Sequence, residues 1–116
     1  MQLKHYEKVQ KPWGGFERLT WNEQTTVKLI TVNPKSRLSY QSHKQRSEYW
    51  RCIKGSFMAL LDGREVVLKE NEDVFVPAGM KHRMVGLEGP AVCLEISFGN
   101  FDENDIVRYE DDYGRV

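Results

Sequence analysis

Residues 41–55 read Gln41-Ser42-His43-Lys44-Gln45-Arg46-Ser47-Glu48-Tyr49-Trp50-Arg51-Cys52-Ile53-Lys54-Gly55. They bring a histidine, a carboxylate and an amide close together, with a predicted strand on each side. A second segment, Pro77-Ala78-Gly79-Met80-Lys81-His82, adds another histidine after a tight-turn signal. If the two segments meet in space, they form a metal site inside a small β-barrel.

Size and charge narrow the class of protein. The 116 residues suit one domain with one core, residues 1–116. Because 17 Lys and Arg residues balance 17 Asp and Glu residues, no net charge attracts nucleic acid or an anionic membrane, and neither is expected as a partner. No apolar run is long enough to span a membrane, and the first residues lack a signal-peptide core. These features predict a cytoplasmic protein.

The two cysteines, Cys52 and Cys93, are too few for a disulfide framework. We expect two buried free thiols. No C-x-x-C pair is present, so a thiolate zinc site is excluded.

Short β-type segments separated by turn signals predict an all-β fold, a sandwich or barrel. Apolar residues do not recur at helical spacing over more than two turns. Asp62-Gly63 favours positive φ at both positions, as a two-residue hairpin requires. The predicted strands cover residues 16–21, 25–32, 37–44, 48–54, 57–61, 65–68, 74–76, 81–85, 91–98 and 106–110.

The two ends of the chain are polar. Residues 1–12 are predicted to cross the surface as an N-terminal arm, followed by a turn at residues 12–15. Trp13 in that turn is expected to serve as a core plug or a dimer contact. Residues 99–116 form a C-terminal extension with one edge strand.

Strand alternation groups the polar side chains of the opening segment. Gln41 and His43 share one face of their strand, and Glu48 and Trp50 share one face of the next. Together with His82, a nitrogen and oxygen ligand set of this kind suits zinc, manganese, iron, cobalt or nickel. A lone histidine is more often a structural side chain, so the interpretation depends on the combination.

This combination resembles the cupin family. Its first motif is G-x5-H-x-H-x4-E-x6-G. In this chain the five positions are held by Lys35, Gln41, His43, Glu48 and Gly55, at matching spacing throughout. The resemblance implies a cupin jelly-roll (double-stranded β-helix) barrel with an internal metal site, commonly a homodimer.

The second cupin motif, G-x5-P-x-G-x2-H-x3-N, also has its counterpart. Pro77, Gly79 and His82 match it, whereas Asn71 and Gly86 replace its first and last residues. The resemblance therefore implies His82 as the distant metal ligand beside Gln41, His43 and Glu48.

A closer resemblance covers nearly the whole chain and points to the cupin domain of type II mannose-6-phosphate isomerases. That family often carries a mannose-1-phosphate guanylyltransferase domain in front. No such domain is recognisable in these residues, so guanylyl transfer is not expected of them. The matching segments are Lys11-Pro12-Trp13-Gly14, residues 38–43, residues 46–50, Pro77 with Gly79 and His82, Glu95-Ile96, residues 105–111 and residues 113–115.

The resemblance implies an aldose–ketose isomerisation of mannose 6-phosphate to fructose 6-phosphate. A divalent metal can polarise the oxygens of the open-chain sugar, a base must move a proton, and cations must hold the phosphate. Glu95 lies among apolar neighbours, where burial could raise its pKa, and is the candidate base. Its alternative role is that of a structural carboxylate paired with an arginine or lysine. Arg46 beside the ligands is the candidate for holding phosphate or stabilising the enediolate. Its alternative is a surface ion pair.

Four further residues are candidate substrate contacts. Arg37 shares strand parity with Gln41 and is expected at the mouth of the pocket. Lys28 and Arg108 are weaker candidates, because the pattern does not fix their facing. Trp50 either forms an apolar wall under the sugar or packs in the core.

The chain departs from the family at Lys44, Gln45 and Tyr49, where relatives often carry extra histidines. These departures leave other functions open. One is another metal-dependent sugar isomerase or epimerase, and a second is an iron oxygenase using a facial triad. A third is a non-catalytic sugar- or metal-binding module.

Overall fold

The computed structural model describes residues 3–115, and within them every regular element is a strand. The all-β prediction is therefore confirmed. The eleven strands are β1 Glu7–Lys11, β2 Gly14–Arg18, β3 Thr25–Val32, β4 Tyr40–Ser42, β5 Arg46–Lys54, β6 Ser56–Leu61, β7 Arg64–Lys69, β8 Asp73–Val76, β9 His82–Gly86, β10 Ala91–Gly99 and β11 Val107–Glu110.

Two antiparallel sheets form the body of the protein. The first has the strand order β3-β10-β5-β8 and the second the order β11-β4-β9-β6-β7. Because β5 pairs with β10 and β6 with β9, strands distant in sequence become neighbours. Trp50 and Cys93 of the first sheet share one core with Phe57, Leu68 and Met84 of the second, so the sheets face each other as a sandwich.

Side-chain alternation along β5 and β10 divides the residues between two faces. Cys93 and Glu95 point into the sandwich. Tyr49 and Ile96 lie on the outer face, where Leu3 covers them in a second apolar cluster. Both cysteines are buried free thiols, as expected.

The N-terminal residues are more ordered than the predicted arm. Leu3 packs against the outer face of the first sheet, and β1 pairs with β2 in a separate two-stranded sheet. The predicted N-terminal arm therefore contains a strand that the sequence analysis did not identify. Gly15 allows the two strands to approach closely, since a Cβ there would lie 2.4 Å from the carbonyl oxygen of Val9. Trp13 at the turn is 73% exposed, so it is not a core plug.

Most predicted strands are present, with shifted ends. The predicted strand at residues 16–21 lies at Gly14–Arg18, and that at residues 37–44 is regular only at Tyr40–Ser42. Arg37 makes an isolated bridge to Val85, which leaves an irregular segment before β4. The Asp62-Gly63 hairpin turn is confirmed, since φ is 46° and 81° at the two residues.

Two turn residues occupy positions where the cupin motifs have glycine. Lys35 has φ 59° and Asn71 has φ 70°, the left-handed conformation that glycine adopts most readily. The backbone of Lys35 is held by a hydrogen bond from its N–H to the carbonyl oxygen of Leu87 at 2.9 Å. The backbone conformation expected of a motif glycine is therefore kept without glycine.

Residues 3–115 contain no helix that could span a membrane. The structure describes a single chain, so the homodimer stays a prediction, as does the cytoplasmic location. Val27 and Leu29 on the edge strand β3 are more than half exposed.

A forked ion pair joins the β1–β2 hairpin to the first sheet. Arg51 donates to both carboxylate oxygens of Glu17 at 2.9 Å, and the Tyr6 hydroxyl donates to the same carboxylate. These hydrogen bonds, that of Arg51 first, lower the pKa of Glu17 from 4.5 to about 2.

We predict that Glu17→Gln lowers the free energy of unfolding by roughly 1 kcal/mol at pH 7. Because the folded-state pKa of Glu17 is depressed, this difference from the wild type should be complete above pH 4.5 and fade as the pH falls towards 2. Urea unfolding at several pH values measures it. Glu7→Gln, which removes an exposed carboxylate 3.6 Å from Arg18, is the control. A pH-independent difference would contradict the prediction.

Candidate metal centre

The two segments singled out in the sequence meet inside the sandwich. His43 follows β4, Glu48 lies on β5 and His82 begins β9. Potential ligand atoms of all three lie within 4.8 Å of one another, and each residue is buried. The Nε2 atoms of His43 and His82 are 3.5 and 3.6 Å from the two Glu48 oxygens. This His43–Glu48–His82 triad is a group that can hold a metal ion.

Backbone carbonyl groups fix the orientation of both imidazole rings. Nδ1 of His43 lies 2.8 Å from the carbonyl oxygen of Asp105, and Nδ1 of His82 lies 3.0 Å from that of Met80. Nδ1 must carry the proton in each ring, since a carbonyl oxygen only accepts. The Nε2 lone pairs therefore face the Glu48 carboxylate, the arrangement typical of histidine metal ligands.

The electrostatics also suit a metal. Burial lowers the pKa of both His43 and His82, so each imidazole is neutral near pH 7, the form that binds metal. Nε2 of His82 is buried without a hydrogen-bond partner, which is costly for a polar atom unless a ligand satisfies it. The donor set and this unpartnered nitrogen fit a divalent cation.

Two neighbours stabilise the charge of Glu48. The Trp50 indole N–H donates to Glu48 Oε1 at 3.0 Å, and Arg46 Nε lies 3.4 Å from Oε2. Arg46 Nη2 is also 3.2 Å from Nε2 of His43. Arg46 is thus buried within the site, and the alternative of an ion pair on the surface is excluded. Trp50 is a core residue that orients Glu48, not a wall of the cavity.

Glu95 lies on the inner face of β10, next to the triad. Burial, followed by the negative charge of Glu48 and a hydrogen bond with it, raises the pKa of Glu95 to about 8. Lys28 is its cross-strand neighbour on β3. The structure therefore brings the candidate base to the metal centre.

An open cavity of about 300 Å³ lies beside Arg46. Lys28 and Arg108, the weaker candidates from the sequence, both line it, and so does Gln41. Arg37 does not; it binds Asp112 through two hydrogen bonds of 2.7 and 2.9 Å. The irregular backbone before β4 breaks the strand parity that placed Arg37 at the pocket mouth. The lining residues are Lys28, Gln41, Arg46, Phe101, Glu103, Ile106, Arg108 and Arg115.

Gln41 differs from the triad in its contacts. Its amide oxygen accepts a hydrogen bond of 2.9 Å from the Ser39 hydroxyl, and its backbone pairs with His82. Its role as a fourth ligand stays a prediction.

The positions that lack the family's extra histidines lie away from the centre. Tyr49 points to the outer face, where its hydroxyl donates to Asp73 at 2.6 Å. Lys44 and Gln45 are exposed. A side chain at position 49 therefore lies on the face of β5 opposite the one that carries Glu48.

Sequence reasoning missed the C-terminal contributions to the site. Phe101 lies under both Arg46 and Lys28, with its ring centre 4.2 and 4.5 Å from the two cationic groups. Asp105 supplies the carbonyl for His43, and its carboxylate accepts the N–H groups of Lys44 and Gln45. In the sequence, the only indication of a role for Asp105 was that it lies in the C-terminal segment that resembles the isomerase family.

Fold and site together define a cupin whose buried histidine and carboxylate triad can hold a metal ion. Residues 1–111 match the family model described as mannose-6-phosphate isomerase C-terminal, and the chain belongs to that family.

Three similar proteins carry the names of enzymes of sugars or sugar phosphates. Mannose-1-phosphate guanylyltransferase ManC of Salmonella typhimurium is 36% identical over 96% of this chain, which spans only 24% of that relative. A dTDP sugar isomerase from Desulfovibrio desulfuricans has the same fold, with a TM-score of 0.71, 15% identity and coverage of 96% of this chain and 84% of that one. A cupin sugar phosphate isomerase from Silicibacter pomeroyi gives a TM-score of 0.63 at 17% identity, covering 78% and 69%.

We predict that Asp105→Ala loosens the loop that carries His43. The variant loses both acceptors for the N–H groups of Lys44 and Gln45, so these amide hydrogens should exchange with solvent roughly tenfold faster. Hydrogen exchange followed by NMR measures this. Asp112→Ala, which removes a carboxylate of the same C-terminal segment, should leave both rates unchanged. Equal protection in Asp105→Ala and wild type would disprove the prediction.

Proposed function

We propose that this chain is a metal-dependent sugar-phosphate isomerase domain that converts mannose 6-phosphate to fructose 6-phosphate. The observation that carries the proposal is the buried His43–Glu48–His82 triad next to a cavity with four cationic lining residues. One of the four, Arg46, also contacts the triad. Membership of the mannose-6-phosphate isomerase C-terminal family supports it.

The proposed metal is held by His43, Glu48 and His82, with Gln41 as the predicted fourth ligand. A divalent cation there supplies Lewis acidity towards the carbonyl and hydroxyl oxygens of an open-chain sugar. Zinc, manganese, iron, cobalt and nickel all accept this nitrogen and oxygen set.

The chain's own residues provide the proton transfer and the charge stabilisation. Glu95 lies on the inner face beside Glu48 and is proposed to take the proton from one sugar carbon and return it to the next. Arg46 is buried among the triad with fixed donors, and is proposed to stabilise the negative oxygen of the enediolate. Phe101 keeps the guanidinium of Arg46 in place through a cation–π contact at 4.2 Å.

The triad is tested by metal analysis. His82→Ala removes the unpartnered Nε2 and should abolish stoichiometric binding of Mn²⁺ or Zn²⁺, measured by calorimetry and elemental analysis. His5→Ala is the matched control, because His5 is an exposed histidine outside the site. Unchanged metal content in His82→Ala would refute the assigned ligand set.

The reaction is tested with purified chain in a coupled assay for fructose 6-phosphate. Metal-loaded wild type should convert mannose 6-phosphate, and chelator-treated protein should not. Absence of conversion with every one of the five metals would disprove the proposal. Consumption of dioxygen with iron would favour the oxygenase, and binding without conversion would favour a sugar-binding module.

We predict that Glu95→Gln lowers kcat by roughly 100-fold or more, since general acid–base catalysis contributes about that much. The amide keeps the size of the side chain but cannot act as a base. Metal content should remain that of the wild type. Wild-type kcat in a metal-loaded Glu95→Gln variant would show that another group moves the proton.

A further inference from the structure

The cations of the cavity differ in what already neutralises them. Arg46 lies against Glu48 and His43, and Arg115 is bound to Asp111 by hydrogen bonds of 2.7 and 3.2 Å. Their charge is therefore compensated within the protein.

Lys28 and Arg108 have no such partner among residues 3–115. Neither takes part in a salt bridge there, and the ammonium group of Lys28 rests on the Phe101 ring at 4.5 Å. The Nε atom of Arg108 is buried and lacks a hydrogen-bond acceptor. A buried guanidinium N–H without an acceptor is costly, and a bound anion removes that cost.

The position of these two residues is fixed by the edges of the two sheets. Lys28 lies on β3, the edge strand of the first sheet, opposite Glu95. Arg108 lies on β11, the edge strand of the second sheet, opposite Gln41. An anion held between Lys28 and Arg108 would bridge the two sheets. It would lie next to Glu95, the candidate base, which pairs with Lys28, and next to Gln41, the predicted fourth ligand, which pairs with Arg108.

We infer that Lys28 and Arg108 form an oxyanion subsite that takes the phosphate group of the substrate. The assignment of that phosphate to a sugar phosphate rests on the proposed function. Arg108 provides planar N–H donors suited to phosphate oxygens, and Lys28 provides a point charge from the opposite sheet. The one acidic residue that lines the cavity, Glu103, is exposed to solvent.

The geometry assigns separate roles to the cations of the cavity. Arg46 serves the triad, whereas Lys28 and Arg108 bind the part of the substrate that does not react. Loss of Arg108 should therefore weaken binding and raise KM much more than it lowers kcat. Loss of a catalytic group would have the opposite pattern.

The test is calorimetric titration of the metal-loaded chain with mannose 6-phosphate, with mannose, and with inorganic phosphate. Wild type should bind mannose 6-phosphate more tightly than mannose, with phosphate competing. Arg108→Gln and Lys28→Gln should each weaken mannose 6-phosphate binding by about tenfold or more while leaving affinity for mannose unchanged. Arg64→Gln, an exposed arginine on β7, is the matched control and should bind like wild type.

The metal content of each variant shows whether the triad and fold remain intact. Unchanged mannose 6-phosphate affinity in a metal-loaded Arg108→Gln variant would overturn the subsite, even if the wild type is an active isomerase. Conversely, an inactive wild type that binds mannose 6-phosphate in an Arg108-dependent manner would disprove the isomerase and support the subsite. A wild type that binds neither mannose 6-phosphate nor phosphate would overturn both.

Discussion

The carboxylate of Glu48 is buried at 2% exposure in the middle of the sandwich, and it must be compensated there. An unpaired charge in such a place would be prohibitively costly. The Trp50 indole N–H and the Arg46 guanidinium, both on β5, donate to it. The Nε2 lone pairs of His43, just after β4, and of His82, at the start of β9, face the same carboxylate. The donors that make the carboxylate tolerable therefore hold it where the two histidine nitrogens converge, so folding and site assembly are one requirement.

The C-terminal segment completes this arrangement from outside the sandwich. β11 extends the second sheet beside β4, and the loop before it reaches back to the site. It provides a carbonyl oxygen from Asp105 for His43, a second carbonyl oxygen from Asp102 for Arg46, and the ring of Phe101. Residues 99–115 are therefore part of the centre's structure, not an appendage to a finished barrel.

Side-chain alternation made much of the site predictable. It grouped Glu48 with Trp50 on one face, and both are buried in the structure, because regular strands preserve parity. It failed for Arg37, where a single bridge replaces the strand. Asp105 could not be found this way, since a backbone carbonyl oxygen is common to every residue type and carries no compositional signal.

The facing of Lys28 and Arg108 depended on which strands form the edges of the sheets, and that is a property of long-range pairing. The β1–β2 hairpin was missed for a different reason: its first strand, Glu7–Lys11, is polar and has no apolar face to pack on a core. Local turn chemistry, by contrast, was readable at Asp62-Gly63, because positive φ is demanded within the turn itself.

The left-handed backbone at Lys35 has an evolutionary consequence. A lysine in this conformation costs about 1 kcal/mol relative to glycine, whereas an asparagine, as at Asn71, tolerates it better. The turn keeps its path because neighbouring contacts such as that to Leu87 hold it. The chain thus carries a stability reserve outside the site. Substitution of Lys35 by glycine would therefore offset a destabilising substitution elsewhere without changing any residue of the His43–Glu48–His82 triad.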